Sequence, residues 1–318
     1  MVKIAVAGGS GGFGGEIIDA LLATGKHEIL LLSRSDPPSS GTPTGVAWVK
    51  AEYSSVDDLN EKLQGVDTLL SFIVVHLDPE NLSQKNLISA AVRAGVRRFA
   101  PSEWASPRFD QMDWYAGKAE IRNHLQALNK DKKVLEYCLF QPGILMNYLA
   151  HPFQSTKNIP SSQTPLDFTN RKVILVEGSE NARITCTTAR DLANVVVRAV
   201  EYEGEWPLVG GIQGSNHTIS ELIAHGEKVR GGPFEVEKLQ AADLQAGIVN
   251  SSWRPKVDHP IFRDSPEQAA AMEKVLLVSL LLAFSAGTFD GSDEWNKLLP
   301  EYKFTGLEEF LSGAWREE

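Results

Sequence analysis

An α/β fold built on a doubly wound parallel sheet, of Rossmann type, is what this sequence predicts, and three observations carry the expectation. The chain opens on an apolar run, Val2 to Ala7, that breaks at once into Gly8, Gly9, Gly11, Gly12, Gly14 and Gly15. That run and five further short strand-like runs alternate with segments of helical periodicity as far as Gly143, a pattern that calls for right-handed crossovers between parallel strands. Beyond Met146 the alternation stops and shorter strands mix with helices, as expected of a smaller C-terminal α+β lobe. The expected domains are residues 1–150, with return segments from about 172–200, and residues 151–318.

After the glycines, Ile17, Ile18, Leu21 and Leu22 recur at helical spacing within Glu16 to Ala23, and Gly25 is the stop. Strand, glycine turn and helix in that order are the setting of a dinucleotide-binding fingerprint. Glycine lets the backbone turn sharply and approach a pyrophosphate, and the helix N-terminus offers free N–H groups. Gly9, Gly11 and Gly14 fit G-x-G-x-x-G, while Gly8, Gly11 and Gly14 fit the looser G-x-x-G-x-x-G. The second is preferred because Gly8 directly follows the strand. Gly8, Ser10, Gly11, Gly12, Phe13 and Gly14 are thereby the expected phosphate cradle.

A second strand, Glu28 to Leu32, ends in Ser33 and Arg34, and Arg34 lies twenty residues past Gly14. An acidic residue here accepts hydrogen bonds from the ribose hydroxyls of NAD, whereas arginine suits the 2′-phosphate of NADP. Ser33 and Ser35 add hydroxyls. Asp36 pulls the other way: if it meets the ribose in place of Arg34, the preference relaxes toward NAD.

Residues 36–45 are rich in Pro, Ser, Thr and Gly and read as a loop. Val46 to Val49 makes a third strand, and Ser55 to Leu63 a helix with a serine N-cap and an acidic first turn. The run from Asp67 to Val75 carries the fourth strand. Its end, Ser71 to Ile73, is expected to border the cofactor through Phe72 and Ile73, because ligands bind beyond the carboxyl ends of such strands. A helix over Pro79 to Ala94 stops at Gly95, and a fifth strand, Arg97 to Ala100, opens into Pro101-Ser102-Glu103-Trp104. A helix from about Trp114 to Leu128 carries Tyr115 and Lys118. The sixth strand, Val134 to Phe140, ends at Gln141-Pro142-Gly143, of which Pro142 and Gly143 are expected at the cofactor.

In the second half, His151 to Asn170 is loop-like, Lys172 to Val176, Ala182 to Thr185 and Phe234 to Leu239 read as strands, and Thr188 to Tyr202 and Thr218 to Lys228 as helices. The last fifty residues are largely helical.

Apolar content of 42% and charged content of 23% are ordinary for a soluble globular protein. A formal charge of −10 speaks against nucleic acid as partner, since no basic face offsets phosphate repulsion. Cys138 and Cys186 are the only cysteines, so no disulfide framework or zinc pattern is expected, and two lone thiols suit a reducing, cytoplasmic setting. The N-terminal strand leaves no room for a signal peptide. The longest apolar run, Val275 to Ala286, is too short to span a bilayer and reads as a buried helix. No metal-ligand spacing and no G-x-S-x-G elbow occur.

Several stretches together resemble the NmrA-like and isoflavone-reductase-like atypical short-chain dehydrogenases. They are Gly8-Gly-Ser-Gly-Gly-Phe-Gly, Arg34, Arg98-Phe-Ala-Pro-Ser-Glu-Trp, Lys118-Ala-Glu-Ile-Arg, Phe140-Gln-Pro-Gly-Ile and Tyr302-Lys-Phe-Thr-Gly-Leu-Glu-Glu-Phe-Leu. The resemblance covers essentially the whole chain and is most specific between residues 98 and 143. It implies NADP(H) as cofactor, small aromatic or phenylpropanoid-like acceptors, and Lys118, in its Lys-x-x-Ile-Arg setting, beside the nicotinamide. Two departures stand out. The usual Tyr-x-x-x-Lys spacing is absent, because Tyr115 and Lys118 are three apart and Trp114 holds the four-apart position. The loop after Arg34 lacks the lysine some relatives use as a second phosphate partner, and Lys50 is the next available one.

A reductase must hold an electrophilic carbon against the nicotinamide and stabilise the negative charge that develops beyond it. Lys118 can do so as a cation, a donor to the ribose or a proton donor; the alternative is a solvent-facing lysine paired with Glu120 or Asp113. Tyr115 either donates to a substrate oxygen or packs against Trp114. Ser102 and Glu103 shape the nicotinamide pocket, or Glu103 caps the next segment. His76, Asn147, Tyr148 and His151 flank predicted strand ends, and His151 reads first as a structural histidine. The expected activity is NADPH-dependent reduction of a small aromatic carbonyl, enone or quinone-methide-like substrate by hydride transfer, with Lys118 and Tyr115 as the catalytic pair, in a cytoplasmic monomer or homodimer that binds no membrane. Two alternatives remain open: a non-catalytic NAD(P)-sensing regulatory protein, and a non-reductive isomerase or cyclase.

Overall fold

The apolar runs of the first half form six strands joined by helices. In chain order these are β1 (Lys3–Ala7), α1 (Gly12–Thr24), β2 (Glu28–Ser33), β3 (Val46–Lys50), α2 (Val56–Lys62), β4 (Thr68–Ser71), α3 (Leu82–Ala94), β5 (Arg98–Ala100), α4 (Ala116–Leu128) and β6 (Glu136–Tyr137). The sheet order is β3-β2-β1-β4-β5-β6 with every neighbour parallel. This is the doubly wound Rossmann order, with its direction of winding reversed between β1 and β4. Ile4 to Ala7, Leu32, Leu69 and Leu70 are wholly or almost wholly buried, because helices on both faces leave a parallel sheet no solvated side.

A computed structural model describes residues 1–39, 41–256 and 266–315. The chain divides into two units, Met1–Trp104 with Trp114–Gln141 and Leu192–Gly211, and Ala105–Asp113 with Pro142–Asp191 and Ile212–Glu318. The first holds the six-stranded sheet. In the second, Arg183–Thr187 lies between Ile144–Leu145 and Ser215–Thr218, and Lys172–Val176 lies between Leu166–Asp167 and Glu235–Leu239. Thr218 caps the helix Ile219–Arg230 through a capping box with Glu221. The run at Val275 falls in the helix Pro266–Ser285 and buries Leu277, Leu281, Leu282 and Phe284. Among the described residues no helix is long and apolar enough to cross a membrane.

Several boundaries differ from the sequence reading, each for a physical reason. Helix α1 begins at Gly12, not Glu16, since a first turn needs only backbone geometry and apolar periodicity does not register glycines. The helix expected from Pro79 begins at Leu82: Glu80 and Asn81 take positive φ of 57° and 55°, which confines Pro79–Asn81 to a separate 3₁₀ turn. The sixth strand is two strands. At Cys138 the backbone N–H still reaches Phe99, but the N–H of Leu139 donates to Leu208, and Leu139–Gln141 then pairs with Val209–Gly211. The strand Arg183–Thr187 runs two residues past its expected end.

Arg98 in β5 is 0% exposed, and its guanidinium is matched on all sides. Its Nε donates to Glu136 Oε1 at 2.9 Å, and its other nitrogens donate to the carbonyls of Ala199, Tyr202 and Gly204. The indole ring of Trp206 lies 5.1 Å from the guanidinium carbon, and the backbone N–H of Trp206 donates to the same Glu136 oxygen at 2.9 Å. One buried cation thus ties residues 199–206 to the sheet. Replacing it with an apolar side chain removes the buried counter-ion of Glu136 and the donors to the Tyr202 and Gly204 carbonyls. Arg98→Met is expected to lower the unfolding free energy by about 3–5 kcal/mol in urea titration; a loss below about 1 kcal/mol would show that the cluster is dispensable.

Candidate functional site

Strand β1 delivers the chain to the carboxyl edge of the sheet, where Gly8 turns it with φ 74°. A Cβ at Gly8 would lie 2.8 Å from the carbonyl oxygen of Phe72, at the exit of β4. No side chain fits. The N–H of Phe72 donates to the Ala7 carbonyl at 2.7 Å and holds the two strand ends together. At Gly14 a Cβ would lie 2.6 Å from the Cα of Gly9, so α1 is pressed directly onto the turn. Gly11 is the N-cap of α1; no side chain caps it, and the first turn, with Gly12, Phe13 and Gly14, holds no acidic residue. The free N–H groups and the positive end of the helix dipole are therefore left for an anion.

Gly8, Ser10, Gly11, Ser33, Arg34, Phe72 and Ile73 line one cleft beyond the carboxyl ends of β1, β2 and β4. The fold thus brings together residues up to 65 apart in sequence. Arg34 is exposed, and among the described residues no carboxylate pairs with it. Asp36 is drawn away by Lys50, whose Nζ lies 2.8 Å from Asp36 Oδ2. The same pair occupies the lysine that stood as a second phosphate partner. Pro142 and Gly143 belong to the second unit and do not line this cleft; the Gly143 N–H donates to the Ala105 carbonyl at 3.2 Å. The cleft also includes Leu32, Ser35, Tyr53, Val74, Leu77 and Ser83, which the sequence reading did not assign. Tyr53 stands past the carboxyl end of β3, so the rule that pointed to Phe72 and Ile73 was the signal available for it.

Lys118 is 7% exposed on α4. Its Nζ donates to the carbonyls of Ser102 at 2.7 Å and Glu103 at 2.5 Å and lies 4.7 Å above the Tyr115 ring. Burial lowers its pKa to about 8, against the opposing pull of the Glu103 charge. The alternative of a surface lysine paired with Glu120 is overturned, because Glu120 bonds Lys85 and Asn81, each at 2.5 Å. Glu103, 1% exposed, is gripped by Arg122 through Nε at 3.0 Å and Nη2 at 2.6 Å. Tyr115 packs edge-to-face on Trp114 with centroids 5.7 Å apart, and burial raises its phenol pKa.

Lys118 and Tyr115 do not themselves line the cleft. They connect to its wall through Ser102–Trp104. The Ser102 N–H and the Ser71 hydroxyl share Gln84 Oε1, at 3.0 and 3.4 Å. The Trp104 indole N–H donates to the Ser71 carbonyl at 2.7 Å, and its ring stacks on Phe72 at 4.5 Å and 13°. The anchor of Lys118 and the wall of the cleft are one packed assembly.

Elsewhere, Asn147 accepts the Ala189 N–H at 2.8 Å and donates to Ser155, and His151 Nδ1 lies 2.9 Å from the Ser161 hydroxyl. Both side chains are occupied within the second unit, as is expected of structural residues. His76 is exposed in the 3₁₀ turn Val75–Leu77. Among the described residues no group of three or more His, Cys, Asp or Glu could hold a metal ion.

Comparison with known proteins now adds to this geometry. The chain is 29% identical over 238 residues to an oxidoreductase, BOA1, of Botryotinia fuckeliana, a match over 73% of this chain and 77% of that one. It is 24% identical over 329 residues to the bifunctional pinoresinol-lariciresinol reductase of Forsythia intermedia, covering 97% of each. Among solved structures, the NADPH-dependent quinone oxidoreductase QOR2 of Escherichia coli, complexed with NADPH, aligns with a TM-score of 0.66 at 22% identity, over 98% of this chain and 99% of that one. That likeness is one of fold. The NmrA-like family matches residues 2–311, and with nearly its whole length covered the chain belongs to that family.

Proposed function

We propose that the protein is an NADPH-dependent reductase of a small aromatic carbonyl, enone or quinone-methide-like substrate. The observation that carries this reading is the cleft at the switch of the sheet, where Arg34 meets no carboxylate among the described residues while Lys50 engages Asp36. The residues fit NADP(H). The cradle at Gly8 and Gly14 leaves no room for a Cβ, so backbone is close enough to meet a pyrophosphate at the uncapped start of α1. Arg34, with Ser33 and Ser35, would hold the 2′-phosphate, and Phe72 and Ile73 would wall the ligand. The oxidoreductase names of the relatives support the class, and those printed for a quinone and for pinoresinol support an aromatic acceptor.

When bound, the cofactor supplies the hydride. What this chain adds is Lys118. Two of its three ammonium hydrogens go to the carbonyls of Ser102 and Glu103, which leaves one for an acceptor oxygen that gains negative charge. A pKa near 8 keeps the ammonium charged at neutral pH yet makes it a better proton donor than an ordinary lysine. Tyr115 supports the cation with its ring.

Three measurements follow. With a panel of quinones and enones, Lys118→Met is expected to slow NADPH oxidation about 100-fold while NADPH affinity, measured by calorimetry, changes by less than about threefold. An equally fast variant would remove Lys118 from the chemistry. The wild-type rate is expected to hold steady below pH 8 and to fall as pH rises through about 8, where Lys118 loses its proton; a profile flat to pH 10 contradicts a protonated donor. Arg34→Ala is expected to weaken NADPH more than about tenfold and NADH little, since only the former carries the 2′-phosphate. A wild type that separates the oxidised and reduced cofactors in affinity but turns over no acceptor is a sensor instead of an enzyme.

A further inference from the structure

Given the cofactor reading above, on which this inference rests, we propose that Tyr53 is a positioning residue for discrimination between NADP and NAD: its hydroxyl replaces a missing rung at the end of β2 and so sets where Arg34 leaves the sheet.

The case begins with the register. Leu32 pairs with Ala7 on one side and Val49 on the other. The Ser33 carbonyl is taken on the β3 side by the Ala51 N–H at 2.7 Å. The Leu32 carbonyl therefore points toward β1, where a regular parallel ladder would offer it the N–H of the next residue along. That residue is Gly8, where the chain turns away with φ 74°. The Tyr53 hydroxyl fills the gap. It donates to the Leu32 carbonyl at 3.0 Å, and the Gly8 backbone hydrogen-bonds toward its oxygen.

The tyrosine is itself held firmly. It is 7% exposed, and its ring belongs to the apolar cluster that includes Leu32, Leu59 and Leu87. Its carbonyl accepts Asn86 Nδ2 from α3 at 2.9 Å. One polar atom on a rigid ring is thus aimed at the carbonyl two residues before Arg34. The Arg34 charge is near enough to act on the phenol, and both residues line the cleft.

The effect should be selective. The turn at Gly8 is already held by the Phe72–Ala7 bond and the packing of α1, so the pyrophosphate cradle does not depend on the hydroxyl. The direction of Arg34 does, and only the 2′-phosphate needs it.

Tyr53→Phe keeps the ring and deletes the bond. Binding of NADP⁺ and 2′,5′-ADP is expected to weaken about fivefold, while NAD⁺ and 5′-ADP change by less than about twofold, all measured by calorimetry on the full chain. Retained NAD⁺ binding shows that the variant is folded. The inference is overturned if both pairs weaken equally, which marks a purely structural tyrosine, or if no affinity changes. It is overturned as well if the variant binds neither. Should the wild type bind no NADP⁺, the cofactor reading itself fails, and that result is distinct from every outcome on Tyr53.

Discussion

The approach of Gly8 to Phe72 is the contact on which the cleft depends. Two strands that lie side by side in the sheet, β1 and β4, end here with the chain at Gly8 close against the backbone of Phe72. A Cβ on Gly8 would stand 2.8 Å from the Phe72 oxygen. Backbone alone can pass. The same glycine, by turning out of β1, leaves Leu32 without its rung and lines the cleft that Arg34 borders. The turn that admits a ligand is also what removes a ladder bond, and Tyr53 restores that bond from another strand's end.

Two buried cations show how differently one fold can treat charge. Arg98 meets a carboxylate, three carbonyls and an indole face, and its planar, multiply donating head suits a site where every direction is filled. Lys118 meets two carbonyls and a phenol ring, and among the described residues no carboxylate bonds it directly, Glu103 being held by Arg122. Burial without a direct counter-ion brings its pKa down to about 8. The first arrangement serves the framework. The second leaves a group that gives up its proton more readily than an ordinary lysine.

Legibility varied with the range of the interaction. The strand at Val2–Ala7, the glycine turn and the arginine after the second strand are local patterns, and the structure places them as read, with Gly8, Ser10, Gly11, Ser33 and Arg34 on one cleft. The start of α1 and the break before Leu82 were missed because both are made by backbone conformation at Gly12, Glu80 and Asn81, where apolar periodicity is silent. The sixth strand read as one element because Val134 to Phe140 carries no glycine, proline or other turn residue; only the pairing of Leu139 with Leu208 and Val209 divides it.

The sequence by itself determined the doubly wound sheet, the family and the place of the glycine turn between β1 and α1, because periodicity, glycine spacing and short motifs are properties of neighbouring residues. The tertiary structure alone decided what each charge meets. Asp36 stood as a rival to Arg34 until Lys50 was found at its side, fourteen residues away. Lys118 had two readings, surface or buried, until Ser102 and Glu103 were seen to hold it. Tyr53 was silent until β1 turned aside and left Leu32 to it. The physical reason is common to all three. Electrostatics and hydrogen bonding act over a few ångströms in space, and the residues that fall within that distance are chosen by the crossovers of the sheet, which no local window of sequence contains.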